Sequence, residues 1–296
     1  MSCLAASRPA IAPVLALLAV TAIWGSTFFL IKDLLATVPP LDFLGVRFAV
    51  AALIMVAIWW RRLAAQSREA WRNGLALGAI YALAQIAQTW GLERTPASVS
   101  GFVTGMYVVL TPIVVWAMTR ISIPRTTQLA VLIATIGLGV LSLKGFSLGI
   151  GESATLLGAA LYALHIVLLG RWAVGMDAIA LAGMQMISLA AICLIGALPG
   201  GVSVPPSAGG WASLLYMAIA ASIGALVLQT WAQARISASR AAIIMTAEPV
   251  FAAAFAVAFG GEHVTGRLLA GGALIYLAMH IAERPPRWLA RMLARQ

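Results

Sequence analysis

Gln88-Thr89-Trp90-Gly91-Leu92-Glu93-Arg94-Thr95-Pro96-Ala97-Ser98 returns later in the chain as Gln229-Thr230-Trp231-Ala232-Gln233-Ala234-Arg235-Ile236-Ser237-Ala238-Ser239. Six of the eleven positions are identical without a gap, and the offset of 141 residues is close to half of the 296-residue chain. The matched residues include Gln, Trp and Arg, which chance would rarely align in an apolar background. Around both copies the sequence falls into apolar runs near 11–33, 41–60, 74–92, 97–118, 126–144, 153–172, 178–198, 211–234, 239–259 and 265–283. Each is about as long as the roughly 20 residues a helix needs to cross a bilayer. The first copy closes span 3 and opens span 4; the second closes span 8 and opens span 9. Five crossings per half is an odd number, so the halves enter the membrane in opposite directions. The expected fold is all-α: a polytopic membrane protein of ten helices in a 5+5 inverted repeat, a recurring plan for secondary transporters.

Composition points the same way. Hydrophobic residues make up 62% and charged residues 9% of the chain, against roughly 25% charged in soluble domains. In lipid, backbone polar groups must be satisfied within the spanning segment, which leaves helices or closed barrels. Barrel strands would alternate over about ten residues, and these runs do not. The net charge of +10 does not imply nucleic acid, because the charges sit in short connections between apolar runs. Cys3 and Cys193 form no metal or redox spacing. The run Ile11–Leu35 is long for a signal-peptide core and reads as the first span of an unprocessed chain.

Lys and Arg set the orientation. With a cytoplasmic N-terminus, 14 basic residues fall inside (Arg8, Arg61, Arg62, Arg68, Arg72, Arg120, Arg125, Arg171, Arg235, Arg240, Arg284, Arg287, Arg291 and Arg295) and 4 outside (Lys32, Arg94, Lys144 and Arg267). Arg47 lies within span 2. The asymmetry favours both termini in the cytoplasm and an even number of crossings, in the inner membrane of the cell. Trp59, Trp60, Trp90, Trp116, Trp172, Trp211 and Trp231 sit near span ends, as interfacial belts require. Trp24 is near mid-span and becomes a cavity candidate.

Of 13 prolines, Pro112 in span 4 and Pro249 in span 9 are the two expected deep inside a span, in corresponding spans of the two halves. They are read as helix bends that shape or gate a cavity. Intramembrane polar groups usually face a bundle interior or water. Helical spacing puts Tyr81, Gln85 and Gln88 on one face of span 3, Thr104, Tyr107 and Thr111 on one face of span 4, and Tyr162 near His165 in span 6. Trp24, Tyr81, Gln85, Tyr107, Tyr162, His165, Gln185 and Gln229 are the candidate substrate-binding residues. Amide, hydroxyl and aromatic groups of this kind suit zwitterions or flat organic cations; each residue read alone also fits interhelical packing. Glu248, the sole carboxylate near mid-membrane, has two open readings. One is a proton-coupling or cation-binding group; the other is an architectural residue paired with Arg47 or with backbone. Arg47 is either structural or a partner for a substrate carboxylate. Gly74-x-x-x-Gly78 and Gly101-x-x-x-Gly105 are expected at close helix contacts inside the bundle.

Glu248-Pro249-Val250-Phe251-Ala252-Ala253-Ala254-Phe255-Ala256-Val257-Ala258-Phe259-Gly260-Gly261-Glu262 resembles the signature of the second EamA repeat of the drug/metabolite transporter superfamily. Trp24-Gly25-Ser26-Thr27-Phe28 with Lys32 resembles the first span of that family, and Leu110-Thr111-Pro112 the matching point of the first repeat. The resemblance extends over almost the whole chain and implies repeats at 11–145 and 150–284, with a basic cytoplasmic tail at 285–296. It also implies movement of small metabolites by alternating access. Within the superfamily the chain looks most like the YddG-type exporters of aromatic and other amino acids and of methyl viologen. Multidrug and nucleotide-sugar-like carriers are the neighbouring alternatives. No GxxxxGK[ST] phosphate loop is present, so direct ATP coupling is not indicated. A membrane-embedded lipid-modifying enzyme would need clustered carboxylates or a metal site, whereas the nine acidic residues are scattered. A scaffold would not account for the repeat. The expected partners are a small-molecule substrate and the lipid bilayer, with no nucleic acid, no metal and no cofactor, and the working unit is a monomer.

Overall fold

The computed structural model describes residues 11–95, 97–142, 149–259 and 264–283. Arg8, Pro96, Lys144, Gly260, Gly261, Glu262, His263, Arg284 and the tail 285–296 lie outside them, as do the side chains of Phe28 and Lys32. Fourteen α-helices among the described residues build ten crossings. Span 1 is α1 (Ile11–Gly25) followed by α2 (Phe28–Leu35), span 2 is α3 (Pro40–Ala64) and span 3 is α4 (Arg68–Arg94). Span 4 is α5 (Ala97–Gly105) and α6 (Tyr107–Thr119), and span 5 is α7 (Arg125–Ser142). In the second half, span 6 is α8 (Ile150–Trp172) and span 7 is α9 (Ala178–Ala197). Span 8 is α10 (Ala208–Tyr216), a π-helical stretch Met217–Gly224 and α11 (Ala225–Gln233). Span 9 is α12 (Ala238–Met245) and α13 (Glu248–Phe259), and span 10 is α14 (Gly266–Glu283). Short polar residues start the helices: the Ser67, Asp177, Ser207 and Ser237 side chains accept bonds from first-turn amides, supplying acceptors for donors that a helix start leaves free.

Packing reveals the pseudo-twofold axis. Corresponding spans meet each other across it: 2 with 7, 4 with 9, and 5 with 10. Spans 3 and 6 form another major contact, and its counterpart under exchange of the halves, 8 with 1, is also made. One contact recurs in both copies of the repeated segment. Arg94 lies 3.7 Å above the Trp90 ring and donates to the Trp90 carbonyl at 3.0 Å; Arg235 lies 4.4 Å above Trp231 and donates to its carbonyl at 2.7 Å. Each arginine thus satisfies a carbonyl near the end of its span and anchors a tryptophan at the membrane surface. The two pairs stand on opposite faces, because spans 3 and 8 run in opposite directions.

Leu53, Leu157, Ile195 and Tyr276 are 69%, 58%, 67% and 71% exposed, a distribution suited to contact with lipid tails. The helix contacts beneath are close. A β-carbon on Gly78 of span 3 would stand 2.5 Å from the Gln185 carbonyl oxygen and 2.6 Å from Ser188 Cβ of span 7, and one on Gly74 would stand 2.6 Å from Met184 Cβ. Gly105 faces Leu138 of span 5, while a β-carbon on Gly101 would meet nothing within 4 Å. Gly78→Ala should therefore lower stability in detergent by about 1–3 kcal/mol, seen as a fall in thermal midpoint. Gly101→Ala should leave the midpoint level or raised. Equal midpoints for the two variants would mean that spans 3 and 7 do not pack as described.

Candidate functional site

Among the described residues five crossings depart from regular α-helix, span 2 by a kink at Trp59 near its end. Span 1 breaks at Ser26–Thr27, span 4 at Met106, span 9 at Thr246–Ala247, and span 8 carries the π-helical stretch. Broken backbone in a membrane must find other partners or line a cavity. Side chains supply several. Ser26 donates to the Ile23 carbonyl at 2.7 Å, Thr27 to the Trp24 carbonyl at 2.8 Å, and Thr246 to the Ile243 carbonyl at 2.6 Å. The Trp24 indole donates across to the Ala221 carbonyl, in the π-helical stretch, at 2.9 Å. Ser222, beside it, donates to the Met217 carbonyl five residues back at 3.0 Å. Spans 1 and 9 touch at their breaks, where a β-carbon on Gly25 would stand 2.8 Å from the Ala252 nitrogen and 2.9 Å from the Glu248 carbonyl oxygen. A side chain there would push the two breaks apart.

The breaks border one pocket of about 750 Å³, its mouth included, between the halves. Of the candidates read from sequence, Trp24, Tyr81, Gln85, Tyr107, Tyr162, His165, Gln229 and Glu248 line it. Gln185 does not. It is fully buried behind His165, and the two meet at 2.8 Å between His165 Nε2 and Gln185 Oε1. Gln185 thus orients the imidazole from outside the pocket. The Tyr81 ring stacks on His165 at 4.8 Å between centroids and meets Tyr162 edge-on at 5.7 Å. Tyr162 donates to Gln88 Oε1 at 2.6 Å, and Gln88 donates to Thr104 at 3.1 Å. This chain of bonds joins spans 6, 3 and 4. Thr111 is not in the wall; its hydroxyl bonds back to the Tyr107 carbonyl at 2.7 Å.

The two prolines stand at different points of their helices. Pro112 lies inside α6, well past the break at Met106, and Pro249 is the second residue of α13. A proline in the first helical turn loses no helical hydrogen bond, so Pro249 follows a break instead of bending a continuous helix. The breaks themselves correspond better than the prolines do. Met106 and Ala247 are 141 residues apart, the offset of the repeated segment, whereas the prolines are 137 apart. By the same offset Tyr107 and Glu248, which open α6 and α13, are counterparts, and both line the pocket.

Two ionisable groups, Arg47 and Glu248, reach this pocket. Arg47, 4% exposed, donates from Nε to Ser222 at 2.9 Å and lies between the rings of Phe43 and Phe48. Glu248 heads α13. The pairing of Glu248 with Arg47 weighed from the sequence is not formed: the ion pairs between described residues are Arg62–Asp177 and Arg94–Glu93. Arg47 was not among the candidates drawn from helical faces, since span 2 carries no polar stripe to accompany it. Gln88 carried a visible signal, sharing a face with Tyr81 and Gln85. Among the described residues no cluster of three His, Cys, Asp or Glu side chains is arranged to hold a metal ion.

The two ends of the pocket are packed differently. Leu92 and Ile31 in its wall lie toward the face carrying Arg94. Toward the face carrying Arg235, span 6 packs on spans 8 and 9; the counterpart packing of span 1 on spans 3 and 4 is weaker. The shut end is tight: a β-carbon on Gly170 of span 6 would stand 3.9 Å from Ala238 Cβ and 3.7 Å from the Gln233 carbonyl oxygen.

Comparison with known proteins agrees with this architecture. The chain is 31% identical over 272 residues to an uncharacterized transporter of Archaeoglobus fulgidus, covering 91% of this chain and 85% of that relative. A protein of known crystal structure, 20% identical, shares the fold with a TM-score of 0.77 over 95% of this chain and 98% of the other. The model of the EamA-like transporter family matches twice, at residues 11–143 and 149–282, once for each half. The chain is a multi-pass membrane transporter, not an enzyme, and belongs to the EamA-like transporter family.

Proposed function

We propose that this transporter is a secondary carrier of small zwitterions with a flat apolar part, such as aromatic amino acids, moved by alternating access and most like the YddG-type exporters. One observation carries the reading: a guanidinium and a carboxylate, not paired with each other, share a pocket walled by Trp24, Tyr81, Tyr107 and Tyr162. Arg47 would take the substrate carboxylate, Glu248 the ammonium, and the rings the flat side chain. Flat organic cations are the second reading. Glu248 and the aromatic faces favour it, and the Arg47 guanidinium opposes it. The excess of basic residues on the face of Arg235 supports cytoplasmic termini, which makes the open mouth external in this conformation. The two halves enclose one pocket between them, so a monomer suffices.

Purified protein in liposomes, supplied with phenylalanine, tryptophan, their decarboxylated amines and methyl viologen, tests the substrate class. The amino acids should enter faster than the amines by about tenfold or more, since a charge-assisted contact contributes roughly 1.5–3 kcal/mol. Arg47→Gln should erase that preference. Faster flux of methyl viologen than of any amino acid would move the assignment to the cation reading.

Coupling is a separate question. Glu248→Gln should reduce transport driven by a pH gradient while the folded protein survives purification. Unchanged gradient-driven flux in that variant would exclude proton coupling through Glu248.

Alternation itself can be locked. The 3.9 Å approach at Gly170 and Ala238 falls in the ~3.5–4.5 Å range of disulfide β-carbons. Oxidising a Gly170→Cys/Ala238→Cys protein should stop flux, and reductant should restore it. Full flux through the crosslinked protein would rule out opening at that seal.

A further inference from the structure

From the pocket wall toward the face carrying Arg235, the last turns of span 8 hold buried polar atoms without hydrogen-bond partners among the described residues. Gln229, Thr230 and Gln233 are 2%, 0% and 1% exposed. Gln229 Oε1, Thr230 Oγ1 and both Gln233 amide atoms have no hydrogen-bond partner among the described residues. The Gln229 amide nitrogen donates only to a weak acceptor in the described structure, Met245 Sδ, at 4.0 Å. A buried group left unpaired costs roughly 1–3 kcal/mol, so four such atoms within five residues make a poor seal. Leucine or valine would close the same space without that cost.

The repeat shows where these residues face when the seal is parted. Shifted by 141 residues, Gln229, Thr230 and Gln233 correspond to Gln88, Thr89 and Leu92. All three of those counterparts line the open pocket. Gln229 also lies on the pocket wall, and Gln233 is one helical turn further along the same face. Span 6 covers that turn, with Gly170 close to the Gln233 carbonyl.

Building on alternating access as proposed above, we infer that Gln229, Thr230 and Gln233 are the polar lining of the passage to the face carrying Arg235, hidden in this conformation and uncovered when span 6 parts from spans 8 and 9. Exchanging the conformations of the two halves puts them where Gln88, Thr89 and Leu92 stand now. Their amides and hydroxyl then meet water and the charged end of the zwitterion, and the cost of burying them destabilises the shut state relative to the open one. The unpaired groups set the balance between the two conformations.

Single-cysteine reporters test this in a protein carrying Cys3→Ala and Cys193→Ala. Gln233→Cys and, separately, Gln88→Cys are placed in oriented vesicles and exposed to a charged, membrane-impermeant methanethiosulfonate from one face at a time. Gln88→Cys should react from the face carrying Arg94 and Gln233→Cys from the face carrying Arg235. Thr230→Cys is the second reporter, with the same expected sidedness, where Gln233→Cys does not fold. If Gln88→Cys reacts and neither span 8 reporter is reached from the Arg235 face, this inference is overturned while the open pocket stands. If Gln88→Cys is reached from neither face, alternating access through this pocket fails as well.

Discussion

A polypeptide in oil has nowhere to send a free amide or carbonyl except into its own helix. Everything specific to this molecule sits where that rule is relaxed. The breaks in spans 1, 4 and 9 border the pocket, the π-helical stretch of span 8 is tied to span 1 by Trp24, and side chains take up part of the backbone capacity released there. Trp24 bonds the Ala221 carbonyl, Ser222 bonds the Met217 carbonyl, and Ser26, Thr27 and Thr246 bond back to their own turns. The irregular backbone is tolerated because it borders a polar space, and the space is polar because the backbone there is irregular.

Symmetry and its failure have separate consequences. The twofold arrangement appears in the matched contacts of spans 2 with 7, 4 with 9 and 5 with 10, and in the paired caps of Arg94 and Arg235. A perfectly symmetric molecule would be open at both ends or shut at both. Here span 6 closes on spans 8 and 9, while the equivalent approach of span 1 to spans 3 and 4 is looser. One sequence plan therefore holds two arrangements at once, one in each half, and under the alternating access proposed above their exchange would turn the mouth from one face to the other. Close helix contacts through Gly74 and Gly78 keep spans 3 and 7 together and confine the difference to the elements around the pocket.

Much of this was legible in the sequence because lipid imposes few, strong rules. Span positions, the two halves and the polar faces of spans 3, 4 and 6 followed from run length and a period of 3.6. What stayed hidden were features fixed by tertiary contact. Gln185 has the same intramembrane amide character as Gln229, yet it ends behind His165 and not in the wall. Arg47 has no polar stripe beside it on α3, and only the fold brings Ser222 of span 8 to its Nε. Pro249 reads as mid-span in the sequence, although α12 has already ended at Met245. The breaks at Met106 and Ala247 carry no residue type that announces them.

The separation of Arg47 from Glu248 bears on what such a pocket is for. Two opposite charges near mid-membrane lower their cost most simply by pairing, since desolvation of each ion amounts to several kcal/mol. A pair already made would have to be broken before either group met a ligand. Here Arg47 is steadied by one neutral hydroxyl and two aromatic faces, which fix its position without neutralising it. Glu248 stands at the start of α13, opposite in the repeat to Tyr107, so only one half carries a carboxylate at that position. A carrier that must release its cargo after each turn needs contacts strong enough to select and weak enough to let go. In the carrier proposed above, Arg47 and Glu248 held apart would meet both conditions, each left free for a mobile counter-charge.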